Sequence, residues 1–320
     1  MMAEETNRLM SVTSNPHIRD SWTTQKIMMH VIIALMPATL FGVWHFGAYT
    51  IAVILVTVIS SMFFEYLYEK LMNLPVTVSD GSAALTGLLL ALNMPPRIPL
   101  WICVIGSLVA IVLVKQLFGG LGQNFMNPAL GARCFLVISF ASYMTNFAYD
   151  TYSGATSLMK LKSGELVTTF EMVIGNEMGT IGEVSVLAVV IGACYLILLG
   201  IIDLTIPGTY IVSFVAFWCI FGGHGLDPYY LTGELAGGGL MLGAFFMATD
   251  YVSSPITFKG KIIYGIILGI LTGVFRVFAS GAEGVSYAII IGNLLVPLIE
   301  RWTVPKCFGY VKPEKGGKGA

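Results

Sequence analysis

From Ile27 to Phe64 the chain runs without a single Asp, Glu, Lys or Arg. A helix needs about 20 mostly apolar residues to cross the hydrocarbon core, and all its backbone polar groups must be paired within the segment. That interval is long enough for two crossings, and eight more apolar runs follow. The ten are 27–46, 47–68, 81–95, 99–118, 128–145, 183–202, 205–222, 236–250, 261–279 and 284–302. Composition agrees. The chain is 56% hydrophobic and 11% charged, where ordinary globular chains carry about 25% charged residues. Lipid must therefore replace water over most of the surface, and the expected fold is all-α, a polytopic membrane protein of about ten transmembrane helices.

Two runs are short for a full crossing, 81–95 and 236–250, and both are rich in Gly, Ala and Ser. Each is third in a set of five. Five is odd, so a second copy enters the membrane in the opposite orientation, giving two inverted five-helix repeats. Interrupted helices at matching places in such repeats mark midplane sites. Close helix packing through small residues accounts for them equally well. The expected division is a cytoplasmic arm 1–26, a first repeat 27–145, a polar segment 146–182, a second repeat 183–302 and a cytoplasmic tail 303–320. The arm is polar and no small-residue cleavage site follows 27–46, so it does not read as a signal peptide.

Lys and Arg set orientation, because they favour the cytoplasmic side. With ten spans and the N-terminus inside, thirteen lie inside, among them Lys115 and Arg133, and four lie outside: Arg97, Lys160, Lys162 and Arg276. Both termini are then cytoplasmic and 146–182 is extracytoplasmic. Net charge is −1, which gives no sign of nucleic-acid binding. The five cysteines are scattered without a CxxC pair, so no metal site is expected within the chain.

The polar segment contains Asp150-Thr151-Tyr152-Ser153-Gly154-Ala155-Thr156-Ser157. Gly154 and Ala155 leave the backbone open to a bulky group. Thr156 offers a hydroxyl that can be esterified by phosphate, and Ser153 and Ser157 add hydroxyls that can hold one without a bond. Asp150 is placed to orient that hydroxyl or to bind a metal ion during attachment. The plain alternative is a turn in which Thr156 caps a helix.

Asp150 to Thr156 resembles the flavinylation motif of the RnfD/NqrB family, an acid followed by a Ser/Gly-Ala-Thr ending. Three further stretches resemble the family in order along nearly the whole chain: Ser79 to Leu92, Gly119 to Ala129, and Met247 to Pro255. The short N-terminal region is closer to the RnfD branch. The resemblance implies a membrane subunit of a ferredoxin:NAD oxidoreductase complex that couples electron transfer to sodium or proton translocation. It implies FMN joined through its phosphate to Thr156 by an ApbE-type flavin transferase, and a second, non-covalent flavin such as riboflavin. It also implies partner Rnf-type subunits holding iron–sulfur clusters, flavin and the NAD site. An enzyme is expected only as part of that complex, in a bacterial or archaeal cytoplasmic membrane.

Asp80 and Asp250 end the two short segments. Acids near membrane spans are costly and often functional, so both are candidates for an ion path, with loop or capping roles as the alternative. Glu65 lies deep in the second run and needs a polar partner. Arg133 stands beside Asn127 at the start of the fifth, facing an anionic group or snorkelling to the interface. The rival function is a channel- or transporter-like protein without redox chemistry, supported by the same repeat and the Gly-rich breaks.

Overall fold

The computed structural model describes residues 22–147, 156–163, 169–175, 178–223, 225–279 and 284–305, and every regular element among them is helical. The first half comprises α1 (Thr24–Phe46), α2 (Tyr49–Leu71), α3 (Ser82–Leu92), α4 (Leu100–Leu108) and α5 (Pro128–Ser139). Helix α4 continues as a π turn, Val109–Lys115, and a 3-10 turn, Gln116–Phe118. A short α6 (Ala141–Met144) follows, then α7 (Ser157–Lys162) and α8 (Thr169–Ile174) in the polar segment. The second half has α9 (Val186–Leu198), α10 (Thr205–Phe221), α11 (Pro228–Ala236), α12 (Leu240–Leu242) with a π turn Gly243–Met247, α13 (Phe258–Phe278) and α14 (Val285–Thr303).

Among the described residues, five helices are long and apolar enough to cross a membrane: Thr24–Phe46, Tyr49–Leu71, Leu100–Phe118, Phe258–Phe278 and Val285–Thr303. Four more are apolar but shorter: Ser82–Leu92, Pro128–Ser139, Val186–Leu198 and Thr205–Phe221. The tenth segment is the broken α11–α12 pair. It begins earlier than the apolar run 236–250 indicates, because Asp227 caps α11 by accepting from Tyr229 N and Pro228 takes the first helical position. The same segment ends earlier too, its π turn closing at Met247, so Asp250 lies in the loop beyond it. The fifth run is also shortened, α5 ending at Ser139.

The core is apolar, as in a water-soluble protein, but much of the surface is apolar too. Trp44, Ile138, Ile220 and Leu198 are 73–87% exposed, whereas Glu65, Lys115, Glu234 and Arg276 are at most 5% exposed. Large apolar side chains face outward where lipid is the solvent, and ionised groups gather inside where they find partners. Helices approach closely where a side chain is missing. A Cβ on Gly192 would collide with the Ala34 carbonyl oxygen between α1 and α9, and one on Gly269 with Ser213 between α10 and α13.

Some packing pairs recur in both halves. Helix α2 packs on α4 as α10 packs on α13, and α1 on α3 as α9 on α12. Between halves, α1 meets α9 and α5 meets α14. Each of these joins elements that hold the same place in the two halves.

Both breaks in the third elements release backbone carbonyls, which in a membrane interior must be paired. In the first half Pro95 and Pro96 end the helix. The freed Met94 and Leu92 carbonyls accept from Ile181 N (3.1 Å) and Gly182 N (2.7 Å). In the second half Gly238 and Gly239 take left-handed conformations, φ +65° and +66°. The Gly237 and Gly238 carbonyls accept from Arg276 Nη2, at 2.8 and 3.4 Å.

Candidate functional site

Thr156 occupies the N-cap position of α7 with extended backbone, φ −60° and ψ 152°. Its side chain makes no capping hydrogen bond. The hydroxyl is therefore not consumed by the helix it precedes, unlike Thr23, Ser185 and Thr257, which accept from backbone N–H groups of the helices they cap. Thr156 is half-buried, and a hydroxyl that is not used to cap its helix fits a phosphoester. Asp150, Ser153, Gly154 and Ala155 lie outside the described residues, and Ser157 opens α7. The helix is held by Leu158 and Leu161, which are 4% and 3% exposed and face α11.

A second polar region lies in the first half. Lys115 Nζ donates to Glu65 Oε1 at 2.5 Å and to Ser82 Oγ at 2.6 Å. Ser82 Oγ donates in turn to Asp80 Oδ1 at 2.6 Å, and Gln116 Nε2 donates to Glu65 Oε1 at 2.9 Å. Glu65 Oε2 is buried without a hydrogen-bond partner. Lys115 and Ser82 line a cavity of about 90 Å³ together with Ile27, Asn127, Phe246 and Asp250. The two candidate ion-path acids thus converge on one end of the molecule, Asp250 at the cavity wall and Asp80 one serine away from it. Burial pushes the Asp250 carboxyl above the usual carboxylate range, opposed by hydrogen bonds from Ser253 and from the backbone N–H groups of Val252 and Ser253.

Three cations that the sequence places at the membrane surface are buried instead. Lys115 pairs with Glu65. Arg133, 5% exposed, does not snorkel: its Nη1 donates to Asn93 Oδ1 at 2.5 Å. Arg276 Nη1 donates to Glu234 Oε2 at 3.0 Å and to the Glu234 carbonyl, and the guanidinium stands 5.1 Å over the Phe214 ring. Removing these three from the Lys/Arg tally leaves its majority on the same side. Sequence reasoning also missed the amide contacts that tie the end of α3 and the start of α5 to the end of the second-half π turn. Asn93 Nδ2 donates to Leu89 O and reaches Met247 Sδ, and Asn127 Nδ2 donates to Met247 O at 3.2 Å. The signal available was an amide or a charge embedded in an apolar run. His224 and Cys307 lie outside the described residues; Cys103, Cys134, Cys194 and Cys219 are free thiols.

The chain matches the NQR2, RnfD, RnfE family over residues 11–309. It is 46% identical to the D subunit of the Na(+)-translocating ferredoxin:NAD(+) oxidoreductase complex of Acetobacterium woodii, with 97% of this chain and 98% of that protein aligned. It is 38% identical to the D subunit of the proton-translocating ferredoxin:NAD(+) oxidoreductase complex of Clostridium ljungdahlii, over 96% and 98%. It is 37% identical to the D subunit of the ion-translocating oxidoreductase complex of Rhodobacter capsulatus, over 81% and 83%. With a match across nearly all its length and relatives that align end to end, the chain belongs to the NQR2, RnfD, RnfE family.

Proposed function

We propose that this chain is the RnfD-type membrane subunit of an ion-translocating ferredoxin:NAD oxidoreductase complex and carries electrons through FMN joined by its phosphate to Thr156. The full-length relatives, each named as the D subunit of such a complex, support membership in one, with other Rnf-type subunits as partners. The observation that carries the attachment is the Thr156 hydroxyl, set at a helix start and left out of its capping, at the end of the Asp150–Thr156 sequence. An ApbE-type flavin transferase is the proposed donor enzyme. Thr156 is taken to face the extracytoplasmic side and both termini the cytoplasm, following the distribution of Lys and Arg.

Bound there, the flavin supplies exchange of one or two electrons, and the protein supplies placement and electrostatics. Thr156 holds the phosphate, and Leu158 and Leu161 fix the helix that carries it. At the other end, Asp80, Ser82, Lys115 and Glu65 form a hydrogen-bonded series of groups able to hold a proton or face a cation, beside a cavity bordered by Asp250. The names of the two ferredoxin relatives divide between sodium and proton, so the proposal specifies the coupling and leaves the ion open.

The test is flavin fluorescence of the denatured polypeptide after co-expression with a flavin transferase. The wild-type chain is expected to fluoresce and the Thr156→Ala chain to be dark. Flavin retained on Thr156→Ala under denaturing conditions would overturn the assignment.

A further inference from the structure

The polar segment between the halves is fastened at two places to the two helix breaks. Its far end gives Ile181 N and Gly182 N to the Met94 and Leu92 carbonyls of the first-half break. Its helix α7 lies on the second-half break. A Cβ on Gly233 would stand 2.8 Å from Leu161 Cδ2 and 3.5 Å from Met172 Sδ of α8. One on Gly237 would stand 3.3 Å from Leu158 Cβ. At Gly238 the same point would be 2.7 Å from Leu158 Cδ2 and 2.8 Å from Arg276 Nη2. Leu158 and the Arg276 guanidinium therefore flank one glycine from two sides. Arg276 secures that glycine turn through the Gly237 and Gly238 carbonyls and is itself held by Glu234.

Three absent side chains on α11 and its C-terminal turn thus form a seat, filled by two leucines that lie two and five residues after Thr156. A helix of six residues has little stability of its own, so this seat decides where Thr156 stands. We propose that Gly233, Gly237 and Gly238, with Arg276 behind them, are the positioning residues of the flavin-bearing threonine. They act after attachment, fixing the distance and angle at which the flavin meets its redox partners. The inference rests on the reading of Thr156 as the flavin site. The seat touches Leu158 and Leu161 rather than Thr156 itself, so attachment is expected to be independent of it.

The experiment uses the purified complex carrying Gly233→Leu. Two quantities are read: covalent flavin per chain in the denatured polypeptide, and the rate at which NADH, oxidised to NAD, reduces the flavin in the native complex. Flavin per chain is expected to stay within about twofold of wild type. Misplacement of a reacting group by about 1 Å can cost up to roughly 10²-fold, so reduction is expected to slow by about tenfold or more. Leu161→Ala added to Gly233→Leu removes the opposing methyl groups and is expected to recover most of the rate. Loss of packing at an unrelated place would show no such size-for-size rescue. An unchanged rate in Gly233→Leu, or a slow rate that Leu161→Ala does not relieve, overturns the inference. Loss of attachment in Gly233→Leu also overturns it, because the seat would then serve the transferase. If Gly233→Leu is absent from membranes, Leu161→Ala alone, which empties the seat, is read the same way: slowed reduction supports the inference and an unchanged rate sinks it. A wild-type chain without covalent flavin counts against the flavin site itself and is seen before any variant is made.

Discussion

Each half buries one basic side chain from its fourth span against a glutamate, but the two pairs are built differently. Lys115 spends its ammonium on side chains alone, Glu65 and Ser82. Arg276 binds one carboxylate and three backbone carbonyls, those of Glu234, Gly237 and Gly238. An ammonium is a compact charge on a flexible stem, whereas a guanidinium is a rigid fork that can fasten several acceptors at once. The second-half pair is therefore an architectural clamp under α7. The first-half pair is a side-chain contact beside a largely apolar cavity, free to exchange partners without unravelling a helix end.

The largest expected effect breaks the clamp. Arg276→Met takes the guanidinium partner from buried Glu234, a loss of about 3–5 kcal/mol where one partner of a buried pair is removed. Arg276→Lys is expected to recover only a minor part, since an ammonium cannot reach carboxylate and carbonyls from one plane. Thermal unfolding of the detergent-solubilised chain, followed by circular dichroism, measures both. A Lys variant as stable as wild type would erase the distinction drawn between the pairs.

Double substitutions sharpen it. Lys115→Met and Glu65→Gln should each destabilise by about 3 kcal/mol, yet together fall within roughly 1.5 kcal/mol of wild type, because replacing both members of a buried pair is near neutral. Arg276→Met with Glu234→Gln should remain destabilised by about 2 kcal/mol or more, since buried carbonyls lose their donors. Equal recovery of the two doubles would show that the carbonyl bonds of Arg276 contribute nothing.

This difference was only half legible in the sequence. Apolar runs of about 20 residues gave the helices, and Gly237–Gly239 and Pro95–Pro96 gave the breaks, because chain conformation there follows from local composition. Arg276 sits in a run reading Val-Phe-Arg-Val-Phe and Lys115 in one reading Val-Leu-Val-Lys-Gln. A charge near the end of an apolar run belongs either to the membrane surface or to a buried pair, and local sequence cannot choose. The choice is made by partners 42 and 50 residues away. Arg133 failed in the same way, for its partner Asn93 lies 40 residues earlier. At the candidate site, the Ser-Gly-Ala-Thr ending marked Thr156. Nothing in it pointed to Gly233, whose significance comes from Leu161 lying across it.

A smaller effect concerns the acid at the cavity in the second half. Burial raises the Asp250 carboxyl above its ordinary value of about 4. Between those two values the folded chain holds a proton that the unfolded chain has released. Stability therefore falls as pH rises through that window and levels off once the folded carboxyl ionises. Asp250→Asn should lack this slope, with the variant gaining on wild type as pH increases. Melting temperatures of the two chains across that range decide it: parallel curves would mean that Asp250 is not held protonated by its surroundings.

The smallest effect separates two helix starts, those of α7 and α11, which pack together. Asp227 accepts from Tyr229 N at 3.0 Å and caps α11, so Asp227→Ala should cost about 1 kcal/mol. Thr156 holds the same position on α7 without a capping bond, so Thr156→Ala should change unfolding by less than about 0.5 kcal/mol, within the range of an ordinary surface substitution. The side chain that matters least to the fold is then the one whose removal should abolish covalent flavin. A capping threonine would lose stability on substitution and an esterified one would lose its cofactor. Measured on the same chain prepared without a flavin transferase, a cost near that of Asp227→Ala would return Thr156 to the role of a helix cap.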